Sequence, residues 1–189
     1  MSKVVWKPGT MLYPVPAVMV TSRDGDRDNI ITIAWAGTVC SDPPMVSISI
    51  RPERYSYDII KQTGEFVINI PDKKLVREVD WCGVKSGRDV DKFTELGLTR
   101  QQANKVNCAV IEEAPLAIEC VVRKTVALGS HELFIAEVMA VDVDRELIDD
   151  TGRLCLDRAE LLCYNHGQYC VALEHVGKFG FSVEKKKKG

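Results

Sequence analysis

Between Asn29 and Pro71 three apolar runs follow one another with different stops between them, and this stretch limits the folds open to the chain. The first, IITIAW at 30–35, is β-branched and reads as a buried strand. The side chains then shrink through Ala36, Gly37, Thr38, Cys40 and Ser41, which predicts a loop whose backbone a ligand can approach closely. Asp42-Pro43-Pro44 stiffens the turn that ends it. The second run, 45–50, alternates, with Val46, Ile48 and Ile50 on one face and Ser47 and Ser49 on the other. Arg51-Pro52 stops it, and Ser56 sits where a short helix begins, anchored by Tyr57, Ile59 and Ile60 and ended by Gly64. The third run, 66–70, is a strand closed by Pro71. A helix N-terminus offers free N–H donors to a phosphate, and Arg51 and Arg54 add charged donors beside it. Trp35 is a large ring able to lie along a planar ligand. The same residues also fit an ordinary strand–helix–strand unit with surface arginines.

The rest of the chain supplies further strands. Residues 15–21 and the run from 30 form a hairpin around the polar turn at 22–29, where Asn29 serves either the turn or a ligand. Residues 72–84 have helical spacing, Ser86-Gly87 is a loop, and 91–96 form a short helix anchored by Phe93. Lys92 in that helix reads either as a solvated lysine or as a cation for the phosphate near Ser56. A strand is expected at 107–113, and a long hairpin from 116–128 and 133–143 turns at Gly129-Ser130-His131. His131 lies at the tip or just inside the strand, where it is structural or a donor to a ligand heteroatom. Residues 154–162 read as partly helical, and an irregular packed arm follows. With no repeat or linker, the chain is taken as one domain over 1–189, with the basic run at 185–188 in a disordered tail. Many short strands and few helices predict a mainly β fold, a barrel with helical additions.

A net charge of −2 and a pI near 6.0 give no electrostatic footprint for nucleic acid. No signal-peptide or membrane-spanning run is present, so the expected place is the cytoplasm, where seven cysteines stay reduced. GxGxxG, Walker A, HExxH, GxSxG and CxxC are all missing. Cys163, His166, Cys170 and His175 are zinc-ligand types, but they are strung through one apolar segment rather than set as two separated pairs, and no metal is expected.

Five phrases occur in order: NIITIAWAGTVCSDPPMVSISIRPERYSYDII, GEFVINIP, SGRDVDKFTELGL, LGSHELFIAEVMAVDVD and YNHGQYCVALEHVGKFGF. Together they resemble the flavin reductase-like family of FMN-binding split-barrel proteins, in its flavoredoxin branch. The resemblance implies a six-stranded split β-barrel of Greek-key type with peripheral helices. It also implies a homodimer with FMN near the subunit interface, and electron transfer between NAD(P)H, flavin and an acceptor. Carried onto this sequence, Asn29 and Trp35 flank the flavin, and the backbone of Thr38, Val39, Cys40 and Ser41 faces the ring edge. Arg51, Ser56 and Lys92 hold the phosphate, and His131 and Tyr164 close the pocket. Ser56 stands where the family commonly has threonine, and Tyr164 where it has phenylalanine. No protein nucleophile is required, since the flavin carries the chemistry. The resemblance leaves three functions open: an NAD(P)H-dependent FMN reductase, a flavoredoxin-type electron carrier reduced by a protein partner, and a non-catalytic FMN-binding module.

Overall fold

A computed structural model describes residues 2–171 and 175–183. The basic run at 185–188 lies outside the described residues.

The elements follow from the local chemistry in chain order. A short strand β1 (Val15–Pro16) precedes β2 (Val18–Asp24) and β3 (Arg27–Ile33), which pair as a hairpin with Gly25 in the turn. Strands β4 (Ala36–Ser41) and β5 (Pro44–Ile50) form a second hairpin across Asp42-Pro43. Helix α1 (Tyr55–Thr63) ends at Gly64, whose left-handed backbone (φ 71°) lets its N–H reach the carbonyl of Ile60. Strand β6 (Glu65–Ile70) follows, then α2 (Val76–Val84) and α3 (Lys92–Leu96). A small ribbon pairs β7 (Arg100–Gln102) with β8 (Ala109–Ile111). The longest strands, β9 (Leu116–Leu128) and β10 (His131–Val143), form one hairpin, and β11 (Leu162–Asn165) with β12 (Gln168–Val171) form the last.

Seven strands make one antiparallel sheet in the order β3-β2-β6-β9-β10-β5-β4. Its two edge strands, β3 and β4, are consecutive in the chain and separated only by Ala34 and Trp35. In a flat sheet those edges would lie six strand spacings apart, about 29 Å. The connection from Ile33 to Ala36 is three residue steps, about 10 Å at full extension. The sheet must therefore roll up; the N–H of Ser49 on β5 donates to the carbonyl of Trp35 at 2.9 Å, carrying the β4–β5 ladder one step into that connection. This is the mainly β split barrel that the sequence predicts, with differences in its strands: the turn expected at 22–29 is tighter, because β2 runs to Asp24 and β3 begins at Arg27. Residues 36–41, expected as a small-residue loop, form the seventh strand, because Asp42-Pro43 turns them back onto β5 and the ladder supplies their backbone partners.

Inside the roll, Val46, Ile48 and Ile50 of β5 meet Phe66 and Ile68 of β6 and Phe134 of β10, with Tyr57 and Ile60 of α1 in the same cluster. The alternation expected for 45–50 is thus the one observed. Outside, Met19 and Ile30 pack under Val79 and Cys82 of α2 and Phe93 of α3. Strands β2 and β3 are covered on both faces, which is why they read as continuous apolar runs. Asn69 pins the layers: its Nδ2 donates to the Met19 carbonyl at 3.0 Å, and its Oδ1 accepts from Ile111 N–H at 2.8 Å. The arm expected to be irregular after residue 162 is the β11–β12 hairpin, added to β1 as a three-stranded sheet. Among the described residues no helix is long and apolar enough to cross a membrane.

Candidate functional site

Two pockets open along β3, and a third adjoins them beyond its end at Ala34 and Trp35. The first, about 180 Å³, is lined by Asn29 and Ile31 of β3, Arg54 and Ser56 at the start of α1, Lys85–Arg88 after α2, and Lys92 of α3. The second, about 170 Å³, shares Ile31 and Arg54 with it and continues past Arg51 and His131 to Trp35. The third, about 710 Å³, shares Trp35 and Ser49 with the second and is walled by Gly9–Leu12, Gly37 and Ser47. Six residue steps of strand separate Asn29 from Trp35, about 20 Å of groove.

The first pocket gathers cations and hydrogen-bond donors; the carboxylate among its lining residues, Glu53, pairs with Arg51 at 3.6 Å. Lys92 is 3 % exposed, and its Nζ donates to the carbonyl of Cys82 at 2.7 Å. Its inward direction is set locally. Asp91 caps α3 by accepting from the N–H groups of Phe93 and Thr94, Phe93 is buried in the core, and Arg100 lies over its ring at 4.3 Å. The Cys82 carbonyl is delivered by α2, held on β3 by Thr32 Oγ1 donating to Val79 O at 2.5 Å. No salt bridge reaches Lys92 among the described residues. Burial, reinforced by the neighbouring Arg54, pushes its ammonium down to about 8. An anion entering beside it would restore the charged form.

Ser56 and Asn29 are both buried, and Asn29 Nδ2 donates to Ser56 Oγ at 2.6 Å. The Ser56 hydroxyl therefore accepts from Asn29 and keeps its own O–H free to donate to a ligand. Helix α1 is capped at Arg54 without a side-chain hydrogen bond; Tyr57 N–H donates to the Arg54 carbonyl at 3.0 Å, while the N–H groups of Tyr55 and Ser56 meet no side-chain cap. The 86–90 loop lies close against this corner. A Cβ at Gly87 would fall 1.7 Å from Asn29 Oδ1, so only glycine lets that backbone approach. Arg27 Nη2 holds the loop by donating to the carbonyls of Gly87 at 2.7 Å and Val90 at 3.0 Å.

The second and third pockets are flatter and less charged. His131 opens β10, and its Nδ1 lies 2.9 Å from Ser130 Oγ. Burial and then Arg51 hold its imidazole below the ordinary value, which favours the neutral ring. Trp35 stands at the junction, with the Tyr13 ring 6.1 Å away; Tyr13 in turn meets Tyr164 at 6.0 Å.

Of the residues singled out in the sequence, Asn29, Ser56 and Lys92 converge on the first pocket, and Arg51, His131 and Trp35 on the second. Arg51 is thus set apart from Ser56 and Lys92 and pairs with Glu53 at 3.6 Å. Arg54, exposed at the N-cap of α1, occupies the place beside them and lines both the first and the second pocket. Thr38, Val39, Cys40 and Ser41 lie on the edge strand β4 and line none of these three pockets; Val39 is 51 % exposed. Tyr164 lines none of the three pockets; its ring meets Tyr13, and across the β1–β11 ladder it opposes Val15, which lines the third. Arg54, named from the sequence as a charged donor beside the helix start, is thus a lining residue of the first two pockets; the 85–88 loop and the 9–12 segment were not singled out as site residues, although the Ser-Gly pair was a visible signal. Among the described residues no group of three metal-ligating side chains occurs.

Residues 10–172 match the family model described as the flavin reductase like domain. The structure is similar to that of flavoredoxin of Desulfovibrio vulgaris (Miyazaki F), with a TM-score of 0.90 and 33% identity, covering 97% of this chain and 100% of that one. It is also similar to an FMN-binding protein from Thermus thermophilus, solved with bound 1-cyclohex-2-enone, with a TM-score of 0.79 and 27% identity over 94% and 99% of the two chains. Among sequence relatives, an uncharacterized protein of Pyrococcus abyssi is 34% identical over 139 residues, 74% of this chain and 80% of its own length. An NADPH-flavin oxidoreductase of Streptomyces viridifaciens is 25% identical over 149 residues, 77% of this chain and 76% of its own.

Proposed function

Since the chain belongs to the flavin reductase like family, we propose that it is an FMN-binding oxidoreductase that passes electrons between NAD(P)H and an acceptor by way of the flavin. The observation that carries the reading is the buried cation Lys92, without a carboxylate partner among the described residues, at the closed end of a groove leading to Trp35. Lys92, Ser56, Arg54 and the N-terminus of α1 hold the phosphate, with Asn29 orienting the Ser56 hydroxyl. Trp35 packs along the ring, His131 and Arg51 border it, and Tyr164 supports Trp35 through Tyr13. FMN, once bound, supplies the two-electron chemistry; the protein holds it, shields part of it from water, and places donors at its edge.

The remaining candidates fit an assembly of two copies. Thr38, Val39, Cys40 and Ser41 present backbone from an exposed sheet edge, and Leu12 of the N-terminal arm, an exposed apolar side chain, lines a pocket with Ala36 and Gly37 of the same strand. We assign both to the interface of a homodimer, with the flavin at its margin. Seven cysteines without a disulfide suit the cytoplasm.

Similarity to flavoredoxin at 33% identity favours a second reading, an electron carrier whose FMN is reduced by a protein partner. Anaerobic addition of NADH or NADPH to the FMN-loaded protein separates the two. Rapid bleaching of the flavin band supports the reductase. A band that bleaches only with dithionite or a redox protein supports the carrier. A protein that takes up no FMN contradicts both.

A further inference from the structure

Cys163 and Cys170 are directly opposed on β11 and β12. The hairpin turns through His166 and Gly167, with φ of 46° and 91°, as a two-residue turn flanked by Asn165 and Gln168. Pair types alternate along an antiparallel ladder. The turn-flanking pair is hydrogen-bonded, so Cys163–Cys170, two pairs on, is hydrogen-bonded as well, with Cα atoms about 5.5 Å apart. Disulfides bridge Cα separations of about 4.4–6.8 Å but want Cβ atoms about 3.5–4.5 Å apart, whereas a hydrogen-bonded pair holds them about 5.5 Å apart, so the bond closes with strain in the hairpin and is correspondingly easy to reduce. Leu162, Tyr164, Tyr169 and Val171 face the core behind the hairpin, so both thiols share the other face, where they are half-buried and reachable.

The other five cysteines lack this arrangement. Cys82, Cys108 and Cys120 are buried, which pushes their thiols up to about 11, about 12 and about 12; burial and then the neighbouring Cys170 raise Cys163 too, so it is the opposition of two thiols, not acidity, that sets the pair apart. Cys40 faces Met45 across its ladder, and Cys155 contacts Asp149.

We propose that Cys163 and Cys170 form a reversible dithiol–disulfide pair that exchanges with low-molecular-weight disulfides. One of the two, as thiolate, attacks the reagent's sulfur–sulfur bond, forming a mixed disulfide and expelling one reagent thiolate. The other then attacks the protein sulfur of that mixed disulfide, closing the Cys163–Cys170 bond and expelling the second reagent thiol. The dithiol loses two electrons and two protons, and the reagent disulfide takes them up as two thiols. The bond would cross-link the hairpin carrying Tyr164, whose ring supports Tyr13 and through it Trp35. Oxidation thereby stiffens one wall of the groove. The inference stands independently of the flavin reading.

The test is to incubate the full chain with glutathione disulfide, alkylate the remaining thiols and map the peptides. The expected product carries a Cys163–Cys170 cross-link, loses two alkylatable thiols and about 2 Da, and reverts with dithiothreitol. The Cys170→Ser variant should stop at a glutathione adduct on Cys163. Persistent glutathione adducts on the unaltered chain with no internal cross-link, or a cross-link joining other cysteines, would overturn the proposal.

Discussion

The Nζ of Lys92 lies 2.7 Å from the carbonyl oxygen of Cys82, inside the protein and with no carboxylate salt bridge among the described residues. A cation held this way is incomplete: one neutral acceptor does not balance its desolvation. Two further donors of the ammonium remain for an anion in the pocket shared with Ser56 and Arg54.

Replacing Lys92 with methionine keeps the stem and removes the charge. A charge-assisted hydrogen bond contributes roughly 1.5–3 kcal/mol, so FMN affinity should fall by about 10–100-fold while riboflavin affinity changes little. Titration by quenching of flavin fluorescence measures both. Unchanged FMN affinity would remove Lys92 from the phosphate site.

The depressed ammonium makes binding depend on pH. In the free protein Lys92 titrates at about 8 against an ordinary 10.5. FMN affinity should therefore decline as pH rises through about 8, since the free site loses its proton there. Stability of the free protein should move the opposite way. Between about 8 and 10.5 the unfolded chain holds the proton that the folded chain has released, so stability from this group rises with pH across that window. Both slopes should vanish in Lys92→Met; persistence of either in that variant assigns it to another group.

Gly87→Ala tests the close approach of the loop to Asn29. The new Cβ would sit 1.7 Å from Asn29 Oδ1, so either the loop or the amide must move. We expect a loss of about 1–3 kcal/mol in stability by urea unfolding, together with weaker FMN binding. A variant with unaltered stability and affinity would show that this corner is loosely held.

Glu119 tests the fold away from the groove. It is fully buried and accepts from the N–H groups of Asn104 at 2.7 Å, Lys105 at 2.5 Å and Val106 at 3.1 Å. Burial raises its carboxyl, but these donors outweigh it and hold it below the ordinary range, while the adjoining Asp142 is raised. Its stabilisation is present above the unfolded value and fades as pH falls through the folded one. Glu119→Ala should cost about 2–4 kcal/mol in urea unfolding at neutral pH, and less in acid. A cost below about 0.5 kcal/mol would refute this role.

The sequence shows the elements whose own side chains determine them. Val46, Ile48 and Ile50 alternate with serines, and Gly64 marks the end of α1, so both are readable locally. The strand at 36–41 is not, because small residues carry no pairing signal and the partner strand makes it. The last hairpin is hidden for a similar reason: its turn is His-Gly rather than a stronger Asn-Gly signal, amid aromatic residues. Asn29, Ser56 and Lys92 lie far apart in the chain, and no spacing links them; β3, α1 and α3 bring them together. Arg51 and Arg54 are both visible beside the helix start, but only the folded turn before α1 shows that Arg54 lines the first pocket and Arg51 the second alone.

The most direct test is equilibrium titration of the flavin-free protein with FMN and, in parallel, with riboflavin, which differs by lacking the phosphate. The account predicts one FMN per chain, with a perturbed flavin spectrum and riboflavin bound at least about 100-fold more weakly, as loss of several charged hydrogen bonds requires. Equal affinity for the two, or no uptake of FMN, would contradict it.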